Sequence, residues 1–151
     1  METIDRISVQ APIKRVFEVA VDVERWPEFL SHYRWVRVLE RSEHDRLVEM
    51  AAWRPFGPVR FPTWWLSRMR VSHDAHIIHY THVRGLTNGM DVEWQLVARP
   101  HGVEIVITHY WKGLPVPVIG SLVASCVIGP VFIHGIASRT LAGVKRRAEW
   151  T

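Results

Sequence analysis

The stretch Ile4-Asp5-Arg6-Ile7-Ser8-Val9, followed by Ala11-Pro12-Ile13, Val16-Phe17 and Asp22-Val23-Glu24-Arg25-Trp26-Pro27-Glu28-Phe29, up to Tyr33, decides the fold through its order of elements. Apolar and polar residues alternate from Ile4 to Val9, as in a strand with one face buried. Pro12 then opens a helix whose Ile13, Val16, Phe17, Ala20 and Val21 share one stripe. Asp22 to Trp26 closes it, and Pro27 starts a second short helix carrying Phe29 and Leu30.

Beyond Tyr33 the chain reads as strands separated by turns. Arg34 to Glu40 and Leu47 to Trp53 flank the polar turn Ser42-Glu43-His44-Asp45. Arg54-Pro55-Phe56-Gly57-Pro58 interrupts the pattern, which resumes over Val59 to Val71 with Phe61, Thr63, Trp65, Ser67, Met69 and Val71 expected to face inward. Strands are also expected over Ala75 to Val83, over Met90 to Leu96, where Met90, Val92, Trp94 and Leu96 share a face, and over Val103 to Trp111. The total is about seven strands at hairpin spacing, a meander.

The chain has 151 residues, a length that fits one domain and permits burial of roughly 70% of its unfolded surface. One domain over 1–151 is the expectation, since no linker, repeat or low-complexity tract divides it. Net charge is +4, but the arginines are scattered singly and only Lys145-Arg146-Arg147 form a cluster, at the end of a predicted helix where cations suit the dipole. That distribution argues against nucleic acid as a partner. Cys126 is the only cysteine, so no disulfide or cysteine-based metal site is expected. The eight tryptophans suit a bulky core or an aromatic-lined pocket, with core packing the reading for most of them. No secretory signal opens the sequence, and a cytoplasmic location is expected.

From Gly113 to Ser138 no residue carries a formal charge, which makes the run a membrane-span candidate by length. Pro115, Pro117, Gly120, Gly129, Pro130 and Gly135 break it, and the strands before it demand a covering helix. A buried helix from about Val118, with a kink or restart at Pro130 and an exposed end from Arg139 to Trp150, is therefore favoured over a span.

The opening segment, together with His82-Val83-Arg84-Gly85 through Gly89-Met90-Asp91-Val92-Glu93-Trp94, resembles the START-like, or SRPBCC, superfamily, in its polyketide cyclase/dehydrase and coenzyme Q-binding branch. The resemblance implies an α+β helix-grip fold: a curved antiparallel sheet wrapped around a long C-terminal helix, enclosing an apolar cavity. In such proteins three loops edge the cavity mouth, and they fall here on Pro55-Phe56-Gly57-Pro58, Gly85-Leu86-Thr87-Asn88-Gly89 and Gly113-Leu114-Pro115-Val116-Pro117.

His73, His76, His79 and His82 recur every third residue, but a step of three reverses the face of a strand, so they do not converge on a metal. His109 lies on the apolar face with Ile105, Ile107 and Trp111 near the expected mouth and is the first candidate for general acid or base. Tyr80, Tyr110 and Arg84 are its candidate partners for a carbonyl or enolate oxygen. Asp91 and Glu93 alternate away from the apolar face and are set aside. The expected ligand-binding residues are Phe56, Trp65, Met69, Leu86, Trp94, His109, Trp111 and Leu114. Neither a phosphate loop nor a nucleophile elbow appears. Binding of a hydrophobic small molecule (a polyketide, an isoprenoid quinone or a lipid) without metal or cofactor is the leading reading. A polyketide cyclase or dehydratase using His109 or a tyrosine is the second. A third is a quinone or lipid chaperone in transient membrane contact through residues 113–138.

Overall fold

The computed structural model describes residues 1–56, 58–112 and 130–150. Strand β1 (Glu2–Val9) leads to helix α1 (Ile13–Val21), a single 3-10 turn (Val23–Arg25) and helix α2 (Trp26–Phe29). Six strands follow: β2 (Tyr33–Arg41), β3 (Asp45–Phe56), β4 (Val59–Ser72), β5 (Ile77–Gly85), β6 (Asp91–Arg99) and β7 (Gly102–Tyr110). Helix α3 (Pro130–Glu149) closes the described chain. All seven strands form one antiparallel sheet in the order β1-β7-β6-β5-β4-β3-β2. Strands β2 to β7 are thus a meander, and α1 and α2 carry the chain from one edge of the sheet to the other.

Local chemistry explains the crossing. Pro12 stays extended (φ −62°, ψ 144°) while its carbonyl accepts from Val16 N–H at 3.1 Å, so the ring sits just ahead of the helix, where its missing N–H costs nothing. Val16, Phe17, Ala20 and Val21 are buried, the stripe expected of the helical period. Asp22 leaves helical space (φ −80°, ψ 63°), and Trp26 restarts it with Pro27 in the first turn. Register shifts in β2 and in β5, where Val83 is passed over between the Leu66 and Ser67 pairings, bend the sheet around its concave side. Gly102 (φ 149°) closes the β6–β7 turn where a Cβ would lie 2.1 Å from the Val9 carbonyl oxygen, so only glycine fits.

Helix α3 lies against β1 and α1, and Ile133, Ala137, Leu141, Val144 and Ala148 are buried along one stripe. This corrects the expectation of an exposed end from Arg139 onward: the segment is amphipathic, with Arg139, Arg146 and Trp150 exposed and the rest buried or half-buried. Arg15 of α1 holds the helix end, donating from Nε to the Ala148 carbonyl and from Nη2 to the Trp150 carbonyl, both at 2.6 Å.

Two further expectations change. Thr63, Trp65, Ser67, Met69 and Val71 do face inward, but Phe61 is 49% exposed, where β4 has run past its last pairing with β5. Strand β5 starts at Ile77 and not Ala75, since His76 adopts φ 55° in the turn before it. Gly57, Cys126 and the run 113–129, including Leu114, lie outside the described residues.

Candidate functional site

The concave face of the sheet and helix α3 enclose a cavity of about 70 Å³. Its walls come from every layer of the fold: Trp26 of α2, Tyr33 of β2, Trp65 of β4, Trp94 of β6, and Ile133 and Thr140 of α3. Aromatic rings dominate. Trp26 stacks on Trp94 at 5.6 Å between centroids and meets the edge of Tyr33 at 5.4 Å. Tyr33 in turn meets Trp65 at 6.2 Å, and Trp65 lies flat against His82 at 5.7 Å. Strand parity explains this continuity, since Trp65, Tyr80, His82, Val92, Trp94, Ile107 and His109 all fall on inward positions of four adjacent strands.

The polar groups of the cavity are few, and they divide into satisfied and unsatisfied ones. His82 Nδ1 contacts Thr87 Oγ1 at 2.6 Å, and His32 Nε2 contacts Thr140 Oγ1 at 3.0 Å, while that hydroxyl donates to the Ile136 carbonyl at 2.8 Å. By contrast, Tyr80 Oη and His109 Nδ1 are buried and find no hydrogen-bond partner among the described residues. Such atoms are costly in an apolar surrounding, which makes the pair conspicuous.

The cavity is also uncharged at neutral pH. Burial lowers the pKa of His82 to about 3, with the neighbouring His109 acting in the same direction. Burial lowers that of His109 to about 4, with the Asp5 carboxylate opposing. Beside them, burial raises the Tyr33 and Tyr80 phenols, so both remain protonated. Asp5 is itself buried on β1 and contacts His134 Nδ1 on α3.

Of the residues singled out from sequence, His109, Tyr80, Trp65 and Trp94 line the cavity. Met69 is fully buried in the core, and Trp111 is buried with its indole N–H donating to the Asn88 carbonyl at 3.0 Å; neither is among the lining residues. Tyr110 (48% exposed), Arg84 and Leu86 are on the surface. Leu114 and the side chain of Phe56 fall outside the described residues. Trp26, Tyr33, His82 and Thr140 line the cavity without having been singled out, and Thr87 lines it from one of the loops expected at its mouth. His82 stands two residues from Tyr80 on β5, so parity signals its direction. Trp26 and Thr140 become visible only once α2 and α3 are docked on the sheet. His73 and His76 instead edge onto Phe17 at 5.7 and 5.1 Å, and no cluster of three metal-binding side chains exists among the described residues.

A meandering sheet that grips a C-terminal helix over an apolar cavity defines a helix-grip protein of the START-like, SRPBCC type. The chain belongs to the polyketide cyclase / dehydrase and lipid transport family, whose model matches residues 9–127. It is 29% identical over 101 residues to a putative polyketide cyclase of Streptomyces halstedii, covering 67% of this chain and 92% of that one. Among solved structures it is similar to the Zhui aromatase/cyclase of a Streptomyces species, with TM-score 0.86, 18% identity and coverage of 99% and 93% of the two chains. A Thermus thermophilus protein superposes with TM-score 0.83 at 19% identity over 98% and 97%. A START superfamily protein of Mycobacterium smegmatis superposes with TM-score 0.66 at 14% identity, over 98% and 94%. At these identities the structural likeness establishes the fold. No helix among the described residues is long and apolar enough to cross a membrane.

Proposed function

We propose that the cavity binds an uncharged, ring-containing hydrophobic molecule, of the polyketide or quinone kind, that presents oxygen groups to Tyr80 and His109. The observation that carries this reading is the pair of unsatisfied buried atoms, Tyr80 Oη and His109 Nδ1, set in a wall of stacked aromatic rings. A ligand oxygen bound to either restores a hydrogen bond that the folded chain lacks, while the rings supply dispersion and area. A carboxylate finds no buried cation among the lining residues and would be disfavoured by burial.

The space of about 70 Å³ is smaller than the roughly 150 Å³ that admits benzene in an engineered protein cavity. Binding of a larger molecule therefore requires lining side chains, or the α3 wall carrying Ile133, Ile136 and Ala137, to give way. Native mass spectrometry of the purified chain, with solvent extraction, tests the reading directly. A neutral apolar adduct supports it. Absence of any adduct, together with no binding of neutral N-phenylnaphthylamine, overturns it.

A second reading, a cyclase or dehydratase, is favoured by the placement of His109 and Tyr80 together in the cavity wall. Burial keeps His109 the free base at neutral pH while weakening its basicity, so its role here is to accept an α-proton made acidic by two flanking carbonyls, while the protonated Tyr80 phenol donates to the developing oxyanion. Under this reading His109→Ala abolishes turnover of a poly-β-ketone and leaves affinity largely intact. Loss of affinity or stability in place of turnover assigns His109 to binding alone.

A further inference from the structure

Strands β3 and β4 run past both of their neighbours. Strand β2 pairs with β3 only as far as Tyr33 opposite Ala52, and β5 pairs with β4 only as far as Gly85 opposite Trp65. Beyond those points Trp53↔Pro62, Arg54↔Phe61, Pro55↔Arg60 and Phe56↔Val59 continue as a two-stranded ribbon, with no third strand on either side among the described residues. Such ribbons are marginal in water by themselves. This one nevertheless exposes Val59 (53%) and Phe61 (49%), two residues apart on β4 and so on one face.

The opposite face is cationic and aromatic. The Arg34 guanidinium lies 4.6 Å from the Trp53 ring and 4.7 Å from the Trp35 ring, and that of Arg60 lies 4.8 Å from the Trp53 ring. Arg37, 5.1 Å from the Trp35 ring, is paired with Glu49, whereas neither Arg34 nor Arg60 has a carboxylate partner among the described residues. Stacking fixes a guanidinium by its plane and leaves its edge N–H donors directed outward, ready for oxyanions.

The features of the ribbon select among partners. Pro55 and Pro62 remove N–H donors from its two edges, which blunts pairing with a further strand and argues against a second copy docking by sheet extension. Exposed apolar side chains at the ribbon's end, backed by tryptophans and unpaired arginines, match the layering of a lipid interface: acyl boundary, then carbonyl and phosphate. We propose that this ribbon docks on an anionic bilayer, with Val59 and Phe61 entering the acyl boundary and Arg34 and Arg60 meeting lipid phosphates. The proposal does not depend on what the cavity holds.

Flotation of the full chain with vesicles tests this. The expected result is association with phosphatidylcholine/phosphatidylglycerol vesicles, weakened by salt, and none with phosphatidylcholine alone. An arginine near an anionic surface contributes about 1 kcal/mol, or roughly fivefold. Arg34→Gln with Arg60→Gln should therefore weaken association about 30-fold, and Phe61→Ser should weaken it at low and high salt alike. Circular dichroism checks that the variants stay folded, which their exposed positions predict. Equal association with both vesicle types, or a double variant that floats like the wild type, overturns the proposal. So does retention on heparin through the two arginines with no vesicle binding, which would assign them to a soluble polyanion.

Discussion

Trp65 and His82 lie face to face, their planes inclined by 14°, and Thr87 holds the other side of the imidazole through Nδ1. The contact buries His82 in its neutral form, and its pKa falls to about 3, while that of His109 falls to about 4. Both folded values lie below the unfolded value near 6.5, so between these limits the unfolded chain binds more protons. Stability is therefore greatest above pH 6.5 and is lost as pH falls toward about 4 for His109 and about 3 for His82. Within that window each contributes a slope of up to about 1.4 kcal/mol per pH unit. Thermal unfolding between pH 7 and 4 should show a steep fall in Tm, and His82→Gln should flatten it by about one proton's worth. A Tm independent of pH across this range contradicts the neutral, buried imidazoles.

Tyr80→Phe separates stability from binding. The hydroxyl is buried without a partner, so removing it breaks no hydrogen bond and relieves a burial cost of about 1–3 kcal/mol. The variant should be as stable as the wild type or more so in urea titration. If a ligand oxygen takes that hydroxyl, affinity for it should drop by roughly three- to tenfold. A variant that is destabilised, with unchanged affinity, would place the hydroxyl in a structural contact.

What could be read from sequence divides along the same line as local and nonlocal forces. The strand-helix-helix opening, the meander and the inward parity of Trp65, Tyr80, Trp94 and His109 follow from alternation and proline placement, which act over a few residues. Tyr110 and Arg84 were expected beside His109, but alternation turns Tyr110 outward, and the register shift between Leu66 and Ser67 leaves Arg84 opposite Leu66 on the outer face. A shift of this kind has no local sequence signature. Trp26 and Thr140 enter the cavity only because α2 and α3 pack over the sheet, a consequence of tertiary docking. The tryptophans divide the same way: Trp26, Trp65, Trp94 and Trp111 are buried, while Trp150 is 71% exposed and Trp35 and Trp53 stack with arginines outside.

Gly85 and Gly89 flank the β5–β6 turn, both with positive φ (100° and 88°), yet they should differ as alanines. At Gly85 a Cβ would sit 2.4 Å from the Trp64 carbonyl oxygen and 2.7 Å from Trp65 Cα, backbone atoms that cannot swing aside. At Gly89 nothing lies within 4 Å. Gly89→Ala should cost only the conformational strain, about 1–2 kcal/mol. Gly85→Ala should cost about 3 kcal/mol or more and, by displacing Trp65, reduce binding in the cavity. Urea midpoints that are equal for the two variants would contradict the close approach.

Gly143 sets helix propensity against packing. In mid-helix, alanine is favoured over glycine by about 1 kcal/mol. Here, however, a Cβ would lie 2.0 Å from Leu30 Cδ2, and Leu30 is 1% exposed, so its methyl has no open space to move into. Overpacking of this kind costs about 1–3 kcal/mol, and Gly143→Ala should be net destabilising by up to about 2 kcal/mol. Leu30→Ala alone should cost about 2–5 kcal/mol through the cavity it leaves. Combined, the new alanine methyl occupies part of that cavity and no longer collides, so the double variant should be more stable than the sum of the single changes predicts. A coupling of about 1 kcal/mol or more in a double-mutant cycle is expected. Additivity within about 0.5 kcal/mol would mean that Leu30 does not fill the notch at Gly143, and that the seat of α2 against α3 is looser than its burial indicates.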